Sequence, residues 1–326
     1  KPMQRHALTL PRLELPESYS KSSADSFYAD VNDALTKYSA FLLVSKHSRQ
    51  YAASILSVAR ELFALSQQVK ENFRLLKNEG RYTGYSNLKS QRDAREQFHI
   101  YAGGEMKPGD FRAPNRIPEG LSPDAKKSLV AHFEEMHSLG AFLSFNYSGP
   151  VFPKDAYDSS YCLLKLIKYC GITTGSDSSS VTGTPAHADW SWITIVSQDP
   201  VEGLQLSTSD GRWQDVVTES GDLLVLAGEL LSLATREAIR PASHRVVVPD
   251  IVEERVSAPF FYTPLLTSLL KPGPTSCESQ RQGRESEHIH RVFRPEEVEG
   301  EISFLSAERF RKLDNRWCYH PACCLS

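Results

Sequence analysis

The chain has 326 residues, with 37 lysines and arginines against 40 aspartates and glutamates, and a formal net charge of -3 at pH 7. Because the two signs are interspersed and nearly balanced, the composition gives no electrostatic basis for binding nucleic acid. Hydrophobic residues make up 40% of the chain, enough for a full core. No apolar run is long enough to span a membrane and no apolar leader is present, so we expect a cytoplasmic protein.

Hydrophobic periodicity predicts a mixed, largely helical N-terminal half. Alternation over 8–15 favours a short strand, apolar residues at helical spacing predict a helix from about Ser23 to Lys37, and 40–44 is typical of a buried strand. The elements predicted after these are one or two amphipathic helices over 49–77, a strand over 95–100, a Gly- and Pro-rich loop over 102–123, a helix over 124–147 and a strand over 161–169.

The region that follows carries residues suited to binding a metal. His187 and Asp189 lie in a run rich in Trp and β-branched residues, and a strand places positions i and i+2 on one face. His244, from a separate predicted strand, adds a third ligand. A metal ion bound by two imidazoles and one carboxylate keeps coordination positions open for other ligands, which is typical of non-haem iron(II) oxygenases. A lone histidine on an apolar strand is more often a core residue, so the interpretation depends on the whole set.

A second motif, Arg255-Val256-Ser257, favours binding of a carboxylate. Two residues apart on a strand, Arg255 and Ser257 share a face, and a guanidinium can grip a carboxylate through two parallel hydrogen bonds. The alternative is a surface salt bridge. An arginine buried in a barrel would cost several kcal/mol unless it met an anion from a ligand or from the protein.

The order of these motifs resembles the iron(II)/2-oxoglutarate-dependent dioxygenase superfamily, in its isopenicillin N synthase-like branch. His-x-Asp is followed by His-Arg-Val and then by Arg-x-Ser. The connecting segments that also resemble the family are 203–206, 213–216, 221–229 and 259–264.

The resemblance implies a mainly β fold with α layers around a double-stranded β-helix, the jelly-roll or cupin-like core. We expect this core over 151–270. A preceding region, 1–150, would supply helices, short strands and part of the substrate pocket, and a following region, 271–326, would supply loops and helices that act as a lid.

The resemblance also implies ligand roles. His187, Asp189 and His244 would bind Fe(II), and Arg255 with Ser257 would bind the distal carboxylate of 2-oxoglutarate. Dioxygen would be the second cosubstrate, with ascorbate as an optional reductant in vitro.

Tyr169 falls on the tyrosine of the family's Asn-x-Tyr motif, where its hydroxyl would assist in binding the cosubstrate. Ile167 occupies the Asn position, which weakens the case for part of that network.

Five aromatic or imidazole side chains are candidate substrate contacts, because the resemblance places their segments beside the pocket. The alternative for the first four is a surface turn followed by a half-buried strand. The candidates are Tyr82, Tyr85, Phe98, His99 and Trp190.

The predicted function is oxidation of a C–H bond in a small organic molecule of specialised metabolism, with hydroxylation as the default and desaturation or ring rearrangement as variants. Two alternatives stay open: a non-haem iron oxidase of the same fold that uses no 2-oxoglutarate, and a non-catalytic protein that binds iron or a ligand.

The cysteines and the final residues bear on the compartment. No Cys-x-x-Cys pair occurs among the six cysteines, so we expect reduced thiols and no zinc site. Cys323-Cys324-Leu325-Ser326 formally fits a prenylation box, although an unmodified tail is favoured. We therefore expect no membrane partner unless this tail is prenylated.

Overall fold

The computed structural model describes residues 7–16, 25–75, 82–90, 93–102, 114–145, 161–170, 182–247, 254–264, 269–270 and 302–303. The predicted C-terminal lid and the prenylation-box tail lie outside these residues, apart from the short strand at 302–303. Among the helices that the structure describes, none combines the length and hydrophobicity needed to cross a membrane.

In the described part of the chain, most helices lie in the N-terminal half and most strands lie in the C-terminal half. The helices are α1 (Asp25–Tyr38), α2 (Lys46–Ala64), α3 (Gln67–Glu71), α4 (Pro123–Phe145) and α5 (Glu229–Ala234). The strands of the first 170 residues are β1 (Ala7–Leu8), β2 (Arg12–Glu14), β3 (Ala40–Val44), β4 (Gly84–Ser90), β5 (Asp93–Tyr101) and β6 (Leu163–Cys170). Those that follow are β7 (Thr182–His187), β8 (Ile193–Gln198), β9 (Leu204–Ser207), β10 (Trp213–Val216), β11 (Leu223–Ala227), β12 (His244–Val247), β13 (Glu254–Tyr262), β14 (Leu269–Leu270) and β15 (Ile302–Ser303).

The predicted helical stretch over 49–77 forms parts of two helices, and each of these helices begins after a serine cap. Before α2, the Ser45 side chain accepts a hydrogen bond from Ser48 N at 2.8 Å, and Ser48 Oγ accepts one from Ser45 N at 3.1 Å. This reciprocal capping box satisfies two backbone donors that a helix start leaves without partners. Ser66 caps the start of α3, where its side chain accepts a hydrogen bond from Val69 N at 3.3 Å.

An eight-stranded sheet joins the N-terminal region to the core. Its order is β2-β3-β11-β8-β13-β6-β5-β4, with β2 and β3 parallel and every other neighbouring pair antiparallel. The predicted strand over 40–44 is confirmed as β3, which pairs with β11. Every residue of β8 and β11 is buried, which is typical of strands covered on both faces of a sheet.

A five-stranded sheet, β1-β10-β9-β12-β7, faces the larger one. Side chains of the two sheets share one hydrophobic cluster, with Leu206 and Val246 from the smaller sheet packed with Ile167 and Leu226 from the larger. The opposite face of the larger sheet packs under α1, α2 and α4. Two facing sheets with an outer helical layer confirm the predicted mainly β fold with a jelly-roll core.

The start of helix α5 anchors the turn that follows β7. Gly228 N donates to Trp192 O at 3.0 Å, and Glu229 N donates to Asp189 O at 2.8 Å. The first N–H groups of a helix have no acceptor inside it, so the carbonyls of the turn satisfy them. A Cβ atom on Gly228 would lie 1.9 Å from Ser191 O, so the close approach of helix and turn requires glycine.

We predict that Gly228→Ala lowers the free energy of unfolding by about 2–3 kcal/mol, because the methyl group forces helix and turn apart. Chemical denaturation monitored by circular dichroism measures the change. Gly211→Ala is the control: its φ of +79° penalises alanine, but nothing lies within 4 Å of the added atom, so about 1 kcal/mol is expected. Equal losses in the two variants would contradict the packing explanation.

Candidate metal centre

Three buried side chains of the smaller sheet and its following turn converge on one point. His187 ends β7 and His244 begins β12, and the register pairs the two residues directly, with ring centroids 4.2 Å apart. Asp189 Oδ1 lies 3.4 Å from His187 Nε2 and 3.8 Å from His244 Nε2. The three candidate ligand atoms lie within 4.8 Å of one another, so a single metal ion can contact all of them.

The structure places Asp189 differently from the local prediction, although the cluster is the same. Strand β7 ends at His187, and Asp189 lies in the turn beyond it, not on the same strand face. The backbone leaves the sheet here because Asp189 O accepts the hydrogen bond from Glu229 N at the start of α5. Docking against α5, and not strand alternation, therefore brings this carboxylate beside the imidazoles.

Backbone carbonyls fix the tautomer of both histidines. His187 Nδ1 lies 2.9 Å from Pro185 O, and His244 Nδ1 lies 2.9 Å from Ala242 O. Since a carbonyl only accepts, each Nδ1 carries a proton, and each Nε2 is the nitrogen that faces Asp189. Burial, together with the neighbouring His244, lowers the pKa of His187 to about 4, so that ring is neutral near pH 7.

The Asp189 carboxylate fits a metal ligand better than a structural residue. Its side chain is buried, and Oδ2 has no hydrogen-bond partner among the described residues. Burial by itself raises the pKa of Asp189, but the adjacent His244 and His187 outweigh it and bring the pKa below its ordinary value. A buried carboxylate with an unsatisfied oxygen is costly, and a cation held with the two imidazoles would satisfy it.

The predicted carboxylate-binding residues line the same cavity between the sheets. Arg255 and Ser257 alternate along β13 and both face it, as does Tyr169 on β6. The Arg255 guanidinium is 1% exposed, lies 5.3 Å from the Tyr169 ring centroid, and donates from Nη2 to Gln198 Oε1 at 2.6 Å. Its Nε and Nη1 have no hydrogen-bond partner among the described residues.

The electrostatics of Arg255 favour an anion beside it. Burial lowers the pKa of Arg255, while Tyr169 and Asp199 oppose that change. Asp199 is committed elsewhere: its Oδ2 accepts from Val256 N at 2.8 Å, and its Oδ1 pairs with Arg60 of α2. The unsatisfied donors of Arg255 thus remain available to a ligand carboxylate.

Sequence reasoning missed several polar residues of the cavity wall. Gln198 holds the Arg255 guanidinium, and Thr184 Oγ1 lies 3.2 Å from Tyr169 Oη while also accepting a hydrogen bond from Arg95. Arg95 and Gln97 line the cavity from β5. The signal in the sequence was weak, because Glu96 interrupts the alternation of the polar residues Arg95 and Gln97 with apolar residues on β5.

The proposed substrate contacts are not among the residues that line this cavity. Tyr85, Phe98 and Trp190 belong to the hydrophobic core beneath the helices. His99 is fully buried and its Nδ1 lies 3.2 Å from the carbonyl oxygen of Tyr82, which is half-buried.

Phe98 does not reach the cavity because the side chains of β5 alternate between the two faces of the sheet. Successive side chains point to opposite faces, so Arg95 and Gln97 face the cavity while Phe98 packs under the helices. Tyr85, across the hairpin from Phe98, donates its hydroxyl to Glu96 Oε2 at 2.7 Å.

Comparison with known proteins connects this geometry to a family. A model of the 2OG-Fe(II) oxygenase superfamily matches residues 160–264, and a model described as non-haem dioxygenase in morphine synthesis N-terminal matches residues 10–120. The chain is 24% identical over 275 residues to a 2-oxoglutarate-Fe(II) type oxidoreductase, hxnY, of Emericella nidulans, covering 76% of each chain. It is 26% identical over 280 residues to a 2-oxoglutarate-dependent dioxygenase of Didymella fabae, covering 77% of this chain and 82% of the relative.

A solved structure supports the fold. The crystal structure of a full-length Neurospora crassa protein in complex with alpha-KG and thymine superposes with a TM-score of 0.70 at 18% identity, covering 94% of this chain and 97% of that one. The strand topology, the family models over both halves of the chain and the relatives agree, and the chain belongs to the iron(II)/2-oxoglutarate-dependent dioxygenase superfamily.

Proposed function

We propose that this enzyme hydroxylates a C–H bond of a small organic molecule, with His187, Asp189 and His244 as the iron ligands and Arg255, Ser257 and Tyr169 as the 2-oxoglutarate site. The observation that carries the proposal is the shared cavity: a buried two-imidazole, one-carboxylate cluster and a buried, partly unsatisfied arginine line the same space between the sheets. Thymine in the complex with the Neurospora crassa protein supports a small molecule as the class of substrate.

The ligand residues prepare the metal position before the metal binds. His187 and His244 direct their Nε2 atoms towards Asp189, because their Nδ1 atoms donate to backbone carbonyls, and Asp189 supplies the negative charge. Ligands held in this way need little reorientation when a metal ion binds. Iron(II) and 2-oxoglutarate together supply activation of dioxygen, the oxidising chemistry of the family.

The second set of residues orients the cosubstrate. Arg255 is held by Gln198 and by the ring of Tyr169, so its remaining donors have a fixed direction. Ser257 lies two residues along the same strand and faces the same cavity. A carboxylate bound there would leave the opposite end of a short dicarboxylic acid free to point along the cavity towards the metal ligands.

A substrate screen that measures succinate tests the proposed reaction. Small organic molecules are supplied with iron(II), 2-oxoglutarate and air, and the Asp189→Ala protein is the blank. Substrate-dependent succinate release with an oxygenated product supports the proposal. Product formation without succinate would identify the oxidase that needs no 2-oxoglutarate, and iron binding without turnover of any compound would identify a binding protein.

We predict that Asp189→Ala and His244→Ala each weaken iron(II) binding by more than about 100-fold, because each removes a ligand and not a supporting residue. Anaerobic titration of iron(II) into the metal-free protein measures the loss. His137→Asn is the control, since His137 of α4 lies against the Tyr262 ring on the helix-covered face of the larger sheet, with ring centroids 5.8 Å apart. Unchanged iron affinity in Asp189→Ala would refute the assignment.

We predict that Arg255→Met raises the Kd for 2-oxoglutarate by at least about 30-fold, because a buried carboxylate loses its charged partner. Calorimetric titration of 2-oxoglutarate into the anaerobic iron(II) protein measures this Kd. Arg245→Met is the matched control: Arg245 stacks on Trp213, 4.5 Å from its ring centroid, and does not line the cavity. Equal affinities in the two variants would exclude Arg255 as the carboxylate site.

A further inference from the structure

A glutamine at the end of β8 contacts the Arg255 guanidinium. Gln198 is the last residue of that strand, is 4% exposed and lines the cavity. It pairs across the sheet with Ser257, and Arg255 lies two residues further along the same face of β13. A long side chain reaches such a diagonal neighbour, so the three side chains share one wall of the cavity.

The orientation of the Gln198 amide follows from its two partners. A guanidinium can only donate hydrogen bonds, so the atom that lies 2.6 Å from Arg255 Nη2 is the amide oxygen. The amide nitrogen then points to the buried hydroxyl of Thr218, at 3.3 Å from its oxygen. Arg255 and Thr218 therefore bind opposite ends of the amide and fix its direction.

Gln198 occupies one donor of the guanidinium and leaves a complete binding edge. A guanidinium has two edges that each offer a pair of parallel N–H groups, and Nη2 supplies one N–H to each edge. A single acceptor at Nη2 therefore blocks only one edge. Since Nε and Nη1 of Arg255 have no hydrogen-bond partner among the described residues, the other edge can bind a carboxylate through two hydrogen bonds.

The amide is uncharged, so it holds the guanidinium without neutralising it. A carboxylate in the same place would form an ion pair with Arg255 and compete with an anionic ligand. The next residue in the chain, Asp199, does not take this place, because its two oxygens bind Val256 N and Arg60. Charge that is not neutralised in a buried site interacts strongly with a ligand of opposite sign.

The cavity wall offers the guanidinium no other acid within the part of the chain that the structure describes. Asp189 is the one acidic residue among the described lining residues. Its Oδ1 lies 3.4 Å from His187 Nε2 and 3.8 Å from His244 Nε2. A ligand that ends in a carboxylate would supply the missing negative charge, whereas one that ends in a methyl group would not.

We propose that Gln198 is the specificity-determining residue that makes the cosubstrate pocket select a keto acid with an anionic distal end. Its neutral amide oxygen holds the Arg255 guanidinium in one orientation and leaves the positive charge for the ligand, while Thr218 holds the amide. The proposal rests on the function proposed above, which assigns Arg255 to the distal carboxylate of 2-oxoglutarate.

Two keto acids of equal chain length measure this selectivity. 2-Oxoglutarate ends in a carboxylate and 2-oxopentanoate ends in a methyl group, whereas their keto acid ends are identical. Each compound is titrated calorimetrically into the anaerobic iron(II) protein, and the ratio of the two Kd values gives the selectivity. The unmodified protein is expected to bind 2-oxoglutarate at least about thirtyfold more tightly than 2-oxopentanoate.

Two substitutions of Gln198 separate its charge from its hydrogen bond. Gln198→Glu keeps the shape and the acceptor but adds a negative charge, and the ratio is expected to fall below about threefold. Gln198→Met removes the acceptor without adding charge, and a smaller loss, about fivefold in the Kd for 2-oxoglutarate, is expected. The Kd for 2-oxopentanoate is expected to change by less than about threefold in both variants, because its methyl end does not use Arg255.

Gln205→Met is the matched control. Gln205 Oε1 also accepts a hydrogen bond from an arginine, Arg245 Nε at 2.8 Å, but Gln205 does not line the cavity. Both Kd values are expected to stay within about threefold in this variant. Anaerobic titration of iron(II) without keto acid is expected to give the same affinity in all variants, and thermal unfolding checks that each is folded.

The proposal is overturned if Gln198→Glu keeps the preference for 2-oxoglutarate, or if the unmodified protein binds the two keto acids equally tightly. Equal weakening of both keto acids, or loss of iron(II) affinity, in the Gln198 variants would overturn it in favour of a structural role. If the unmodified protein binds neither keto acid, the proposed function is refuted and the role of Gln198 is refuted with it.

Discussion

The buried carboxylate of Asp189, facing the imidazoles of His187 and His244, is the constraint on which the rest of the site depends. A buried carboxylate with an unsatisfied oxygen is costly, and a cation held by all three side chains would remove that cost. The surrounding backbone is built to maintain the arrangement: two carbonyls hold the histidine tautomers, and the start of α5 holds the turn that carries Asp189. The requirement for glycine at 228 follows from the same close approach of helix and turn.

Burial of the larger sheet on both faces determines which side chains can reach a ligand. One face packs under the helices and the other faces the cavity, so neighbouring residues of one strand have unrelated roles. On β13 the alternate residues Arg255 and Ser257 face the cavity, whereas Val256 packs in the core. The cavity therefore receives regularly spaced side chains from rigid strands, which suits precise placement of a ligand.

Two cations that line the cavity have different neighbours. Arg255 is held by a glutamine and an aromatic ring, whereas the Lys165 ammonium lies over the Phe261 ring.

The order of motifs in the sequence by itself predicted the jelly-roll class through the family resemblance, and it identified the three candidate metal ligands. Strand alternation within one segment placed Arg255 and Ser257 on the same face. The sequence did not determine that Asp189 lies beyond the end of its strand, since docking against α5 brings together segments about 40 residues apart in the chain. Nor did it determine that Arg95 and Lys165, and not Phe98, face the cavity. Both faces of these strands are buried, so hydrophobicity does not distinguish the face towards the helices from the face towards the ligand, and only the tertiary packing does.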